Sequence, residues 1–123
     1  MRSTADLREY LDALDLCYFD GHLDDLGVTI GWMRTDATDR RVGEYDFDKL
    51  QIRLNRRLAL DFVPRLYVMQ IVFHEGLHAL HGPEHDHAFH AAEKQYALSF
   101  EAFKWEREQF DELCAKPVPR GLR

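Results

Sequence analysis

Pro64–Leu80 reads PRLYVMQIVFHEGLHAL, and this stretch decides the fold. Proline is favoured in the first turn of a helix, and here apolar residues follow it on nearly every helical face. A helix that is apolar all round has to be buried. The stretch therefore predicts a central buried helix, which Gly82 and Pro83 end. Its only polar cluster, HEGLH at positions 74–78, comes late in the helix.

Regular patterns also precede the central helix. Ser3–Asp6 has the form of a capping box, and apolar residues then recur at helical spacing to about Asp20, which predicts a first helix. Alternating apolar and polar residues predict three strands, around Val28–Trp32, Val42–Phe47 and Leu50–Leu54. The last two strands are close enough to form a hairpin, with Gly43 as a possible β-bulge.

A single long helix is predicted after the central one. Asp86 can cap it, and its inner stripe is expected to consist of Phe89, Ala92, Tyr96, Phe100, Phe103 and Phe110. No repeat, low-complexity tract or linker interrupts residues 1–123. We therefore expect a single α+β domain with an N-terminal helix, a small three-stranded sheet, a buried central helix and a long C-terminal helix.

Composition narrows the functional classes. The 123 residues are 46% hydrophobic, which suits one folded core, and no stretch has the apolar length of a membrane span. The net charge of −6 argues against nucleic acid as a partner, and the trio Arg53, Arg56 and Arg57 is interpreted as a solvated strand end. Without a secretory signal or a C-x-x-C pair, Cys17 and Cys114 are expected to be reduced thiols of a cytoplasmic protein.

Six of the seven histidines fall between His74 and His90, and the string HEGLH has the pattern H-E-x-x-H. Residues four apart share one face of a helix, so His74 and His78 can reach the same metal ion. Glu75 is rotated away from that face and would stand beside the metal as a general base. The alternative is an ordinary polar stripe, but two imidazoles and a carboxylate in an apolar helix are costly without a metal and a cleft.

A catalytic zinc ion takes three protein ligands, so a third donor is needed. His81 shares a face with His78 but lies about 10.5 Å along the helix from His74, which is too far for one ion. The chain must therefore turn back after Gly82. The candidates beyond that turn are His85, His87, His90, Glu93 and Glu101.

The strand VTIGW at 28–32, the strand IRLN at 52–55, the HEGLH helix and the segment HDHAF at 85–89 follow one another in this chain. From about Leu7 to Phe89 the sequence thereby resembles the SprT-like zinc metallopeptidases. The resemblance implies a zincin-like fold in which His74, His78 and His85 bind zinc. It also implies that Glu75 is the general base and that Phe89 packs beneath the site.

Two features depart from that family. Only six residues separate His78 from His85, and no cysteine-rich zinc ribbon follows the catalytic region. The acidic chain offers no basis for the DNA-linked role of some members. A metzincin pattern fits less well, because it requires glycine at 81 and histidine at 84, where this chain has His81 and Glu84.

Three functions are consistent with these residues. The first is a zinc metallopeptidase, a hydrolase whose protein or peptide substrate lies as an extended strand along a sheet edge. The second is a zinc-dependent hydrolase of a non-peptide amide. The third is a non-catalytic binding module stabilised by zinc, for which Glu75 would have no role and a fourth protein ligand would be usual. The peptidase is the function we expect.

Overall fold

The computed structural model describes all 123 residues and has an α+β architecture of five helices and a small mixed sheet. The elements in chain order are α1 (Thr4–Tyr18), α2 (His22–Leu26), β1 (Thr29–Trp32), β2 (Gly43–Asp46), β3 (Gln51–Leu54), a short 3-10 helix (Arg56–Ala59), α3 (Arg65–His81), α4 (His87–Glu93) and α5 (Ser99–Ala115). None of these helices combines the length and apolar character that a membrane span requires.

The sheet has the strand order β1-β3-β2. Strands β2 and β3 pair antiparallel, which confirms the predicted hairpin, whereas β1 pairs parallel with β3 on its other side. Because β3 lies between β1 and β2, the chain that connects β1 to β2 crosses from one edge of the sheet to the other. As a result β1 and β2 are both edge strands, and each has one side free of strand partners.

Helix α1 begins with the predicted capping box, in which Ser3 and Asp6 exchange hydrogen bonds between side chain and backbone. It ends at Tyr18, and the sequence patterns did not predict the five-residue helix α2 that follows. The buried carboxylate of Asp15 accepts hydrogen bonds from the backbone N–H groups of Leu23 and Asp24, at 2.9 and 3.0 Å. A side chain of the preceding helix thus caps α2, which no local sequence pattern reveals.

Helix α3 is the centre of the molecule. It packs against the other four helices and against β2 and β3. Its buried side chains include Tyr67 and Phe73, which belong to the main hydrophobic cluster together with residues of α1 and the sheet. The predicted central buried helix is therefore confirmed, and Gly82 ends it with φ of 87°, a conformation that favours glycine.

The prediction of one continuous helix capped by Asp86 is wrong, because the chain forms two helices separated by a turn, the short α4 and the long C-terminal α5. Asp86 does cap α4, accepting a hydrogen bond from the Phe89 N–H at 2.9 Å. The turn carries Tyr96 into a buried position near Phe73, and it leaves Phe100 72% exposed. The helix thus breaks at the segment that packs Tyr96 against Phe73, and Phe100 does not belong to the inner stripe.

The arginine trio is not a solvated strand end. Arg57 is only 2% exposed, and its guanidinium donates hydrogen bonds to the backbone carbonyls of Ala37, Asp39 and Lys116 at 2.7 to 2.9 Å. Arg53 forms ion pairs with carboxylates of the neighbouring strand β2. The planar guanidinium has five N–H donors, which explains how one arginine joins the loop that contains Ala37 and Asp39 to the backbone at Lys116.

Gly43 does not form the suggested β-bulge, because its pairing with Leu54 continues the regular register of the hairpin. Its role is to allow close approach between β2 and α3. A Cβ atom at this position would lie 2.9 Å from Cγ2 of Ile71 and 3.2 Å from Oε2 of Glu75. The absence of a side chain therefore lets strand β2 lie directly against the helix that carries the histidines.

We expect Gly43→Ala to lower the free energy of unfolding by about 1–3 kcal/mol, because the added methyl group overpacks the contact between β2 and α3. Urea denaturation followed by circular dichroism measures the effect. The matched control is Gly31→Ala in β1, where an added Cβ meets only the Gln51 side chain, at 3.7 Å. An equal loss of stability in both variants would contradict the close-approach argument.

Candidate metal centre

Two turns of α3 provide three of the predicted site residues. His74 and His78 are one turn apart on the same face, and Glu75 follows His74. The surrounding helix is apolar, so Glu75 is only 6% exposed and His78 only 7%. The His74 side chain retains more exposure, at 25%. The polar groups thus lie at the edge of the core, with one side open.

His85 lies on the loop between α3 and α4. The chain reverses at Gly82, and the loop brings the His85 ring back over the end of α3. Its Nε2 atom is 3.0 Å from Nε2 of His78 and 3.3 Å from Nε2 of His74. Of the five candidates for the third position, His85 is the one that the structure brings to His74 and His78.

The spacing of these three nitrogens suits a metal ion. Ligand atoms at about 2.0–2.1 Å from a tetrahedral zinc ion are about 3.3 Å from one another. One ligand atom from each histidine lies within 4.8 Å of the other two, which is close to that arrangement. Three imidazole nitrogens are also a donor set that zinc prefers.

The other ring nitrogens orient the imidazoles. Nδ1 of His78 lies 2.9 Å from the carbonyl oxygen of Gly82, which can only accept a hydrogen bond, so this nitrogen carries the proton. Nδ1 of His74 donates in the same way to the carboxylate of Glu93. In the neutral form of both rings the lone pair is therefore on Nε2, which is the nitrogen that faces the shared centre.

The remaining candidate ligands lie elsewhere. Glu93 contacts the back of His74 and does not join the three Nε2 atoms. His87 and His90 are exposed on α4, and Glu101 is exposed in the first turn of α5. His22 and His81 line a separate groove. The sequence patterns left Glu93 open as a ligand, and its position identifies it as a partner of a ligand.

Phe89 forms the floor of the histidine cluster. Its ring is fully buried and lies 4.6 Å from the ring centre of His78 in a stacked arrangement. The ring centres of His74 and His85 are each 5.0 Å away, edge to face. One aromatic side chain of α4 thus contacts all three imidazoles, as the family resemblance implies, and limits their rotation.

Glu75 stands beside the cluster in an environment suited to proton transfer. Burial raises the pKa of its carboxyl to about 7, and the negative charges of Glu44 and Glu93 add to the effect, while His74 opposes it. A general base works best when its pKa is close to the ambient pH. Burial also lowers the pKa of His78, which favours the neutral, metal-binding form of that ring.

The cavity in front of Glu75 has a volume of about 310 Å³. Its walls come from β2, α3, α4 and α5, and they include two residues that sequence patterns did not single out, Gln70 and Glu106. Gln70 lies one turn before His74 on the same helical face, so a search for further polar residues at that spacing would have found it. For Glu106 the sequence offers no comparable signal.

Comparison of the chain with protein-family models, with curated proteins and with solved structures gave no match.

Proposed function

We propose that this protein is a zinc metallopeptidase with a zincin-like fold, similar to the SprT-like enzymes. The observation that carries the proposal is the convergence of three imidazole Nε2 atoms, from His74, His78 and His85, beside the buried carboxylate of Glu75. His74 and Glu75 line one cavity, and a metal-binding cluster next to a potential general base is the arrangement that metal-assisted hydrolysis requires.

Each residue has a separate task in this mechanism. His74, His78 and His85 would hold the zinc ion, and Glu93 would orient the first of them through its Nδ1 proton. Zinc, when bound, lowers the pKa of water and polarises a carbonyl oxygen. Glu75 takes a proton from the attacking water as the water oxygen bonds to the scissile carbonyl carbon. The same carboxyl then gives the proton to the leaving nitrogen as the C–N bond breaks.

The position of β2 supports a peptide as the substrate. This strand is an edge of the sheet, and Val42 and Gly43 line the same cavity as Glu75. An extended peptide that adds to the free edge of β2 would therefore run past the general base. The other edge strand, β1, contributes no residue to this cavity. The geometry thus favours β2 as the strand along which a protein or peptide substrate binds.

The same three histidines would also suit a zinc ion with a purely structural role. A structural site is usually closed by a fourth protein ligand and needs no adjacent base. Here the group comprises three histidines, and Glu75 with its cavity adjoins them. These features favour a hydrolase.

The cytoplasmic location expected from Cys17 and Cys114 remains part of the proposal, supported by the two thiols being unpaired.

We expect the purified protein to contain one zinc ion per chain, and His74→Ala, His78→Ala and His85→Ala each to lose it, because each variant removes one of three ligands. Elemental analysis and competition with a chelator measure the loss. The matched control is His87→Ala, which alters an exposed histidine of the same segment. Full zinc content in any of the three ligand variants would show that the ligand set is wrong.

We expect Glu93→Gln to weaken zinc binding by about 10- to 100-fold without abolishing it, because the carboxylate orients His74 rather than binding the metal. The affinity is measured by the same chelator competition. Glu101→Gln, a change at an exposed glutamate of α5, should leave it unaltered. Complete loss of zinc in Glu93→Gln would instead make Glu93 a ligand.

We expect Glu75→Gln to retain zinc and the native fold but to lose peptide hydrolysis, since the amide fills the same space and cannot accept a proton. Cleavage of a mixed peptide library, followed by mass spectrometry, measures activity, and circular dichroism with zinc analysis checks the fold. Glu84→Gln, on the exposed loop, is the control. If Glu75→Gln cleaves the same peptides as fast as the parent protein, the proposed mechanism is wrong.

A further inference from the structure

The cavity in front of Glu75 extends beyond the histidine cluster along α3. Gln70 lines it one turn before His74, which is about 6 Å along the helix axis. Phe103 and Glu106 of α5 form the opposite wall. Its volume of about 310 Å³ is at the small end of the range for ligand pockets, so it suits one side chain of a bound peptide.

Gln70 is a buried polar residue without a partner. It is 1% exposed, and neither its amide oxygen nor its amide nitrogen has a hydrogen-bond partner in the protein. Buried side-chain amides are nearly always hydrogen-bonded, because an unpaired one loses its hydration without compensation. An unpaired amide in the wall of a cavity beside a general base therefore indicates that a ligand completes its hydrogen bonds.

Glu106 is the carboxylate in this cavity that the proposed hydrolysis does not use. It forms no ion pair with a lysine, arginine or histidine, unlike Glu93, which contacts His74. Burial raises the pKa of the Glu106 carboxyl, and the neighbouring Tyr67 hydroxyl lowers this pKa by a smaller amount. The Tyr67 hydroxyl itself has no well-formed hydrogen bond. No lysine or arginine lines the cavity. Glu106 is thus the one carboxylate of the cavity that is neither the proposed general base nor paired with a histidine.

We infer that this cavity binds a lysine or arginine side chain of the substrate next to the scissile bond, with Glu106 pairing with its charge and Gln70 accepting a hydrogen bond. The inference rests on the proposed peptidase function and adds the substrate class. The flexible apolar stem of a basic side chain would lie along Ile71 and Phe103, and its charged end would reach the two polar groups. Glu106 is then the residue that determines specificity.

The experiment first profiles the parent protein on a mixed peptide library and locates cleavage sites by mass spectrometry. For the best peptide, the basic residue beside the scissile bond is replaced by norleucine, which keeps the stem and removes the charge. We expect kcat/KM to fall by about 10- to 100-fold, as for the loss of a charged hydrogen bond. In Glu106→Gln the two peptides should be cleaved at nearly equal rates, whereas the control Glu108→Gln, at an exposed position of α5, should keep the parent's preference.

The outcomes separate the two proposals. Cleavage of peptides without a preference for basic residues, or the same preference in Glu106→Gln as in the parent, would overturn the basic-side-chain pocket and leave the peptidase function standing. Absence of cleavage of any peptide by the zinc-loaded parent protein would overturn the peptidase function and this inference with it. If Glu106→Gln does not fold, the comparison of the basic and norleucine peptides on the parent protein still decides.

Discussion

Helix α3 is buried along most of its length, so the two histidines that it presents to the metal site need hydrogen-bond partners from neighbouring segments. This constraint shapes the neighbouring segments. The His78 ring needs an acceptor for Nδ1, and the carbonyl of Gly82 provides it because the helix ends there. The His74 ring needs another, and Glu93 provides it from α4. The surroundings of the histidines are thereby organised to leave the three Nε2 atoms facing one another.

The sheet meets α3 on its other side under a different constraint, which is steric. Strand β2 lies against the helix at Gly43, where the space for a side chain is already occupied by Ile71 and Glu75. This contact places an edge strand next to the carboxylate and forms one wall of the cavity. Packing in the core therefore sets the distance between the candidate general base and the strand along which we propose that a substrate lies.

Local sequence patterns predicted much of this architecture. The capping box of α1, the β2–β3 hairpin and the buried helix α3 each depend on residues close together in the chain, and each is present. The convergence of His85 on His74 and His78 was expected from the turn at Gly82 and from the family resemblance.

Other features depend on contacts between distant segments, which local patterns do not contain. The break between α4 and α5 coincides with the packing of Tyr96 against Phe73, and the buried guanidinium of Arg57 donates to three carbonyls, one of them 59 residues away in sequence. Helix α2 is capped by Asp15 from the preceding helix. The pocket residue Glu106 likewise joins the candidate site only through the packing of α5 against α3.

The loop that carries His85 has a consequence for how the chain tolerates change. Of the six residues between His78 and His85, three belong to α3, and the remaining connection, residues 82–84, lies mostly on the exposed surface. The entropy of closing a loop grows only with the logarithm of its length, so doubling this connection would add only about 0.6 kcal/mol to the cost of bringing the third imidazole to the other two. The turn is therefore a position where insertions can accumulate between related chains while the three rings still meet.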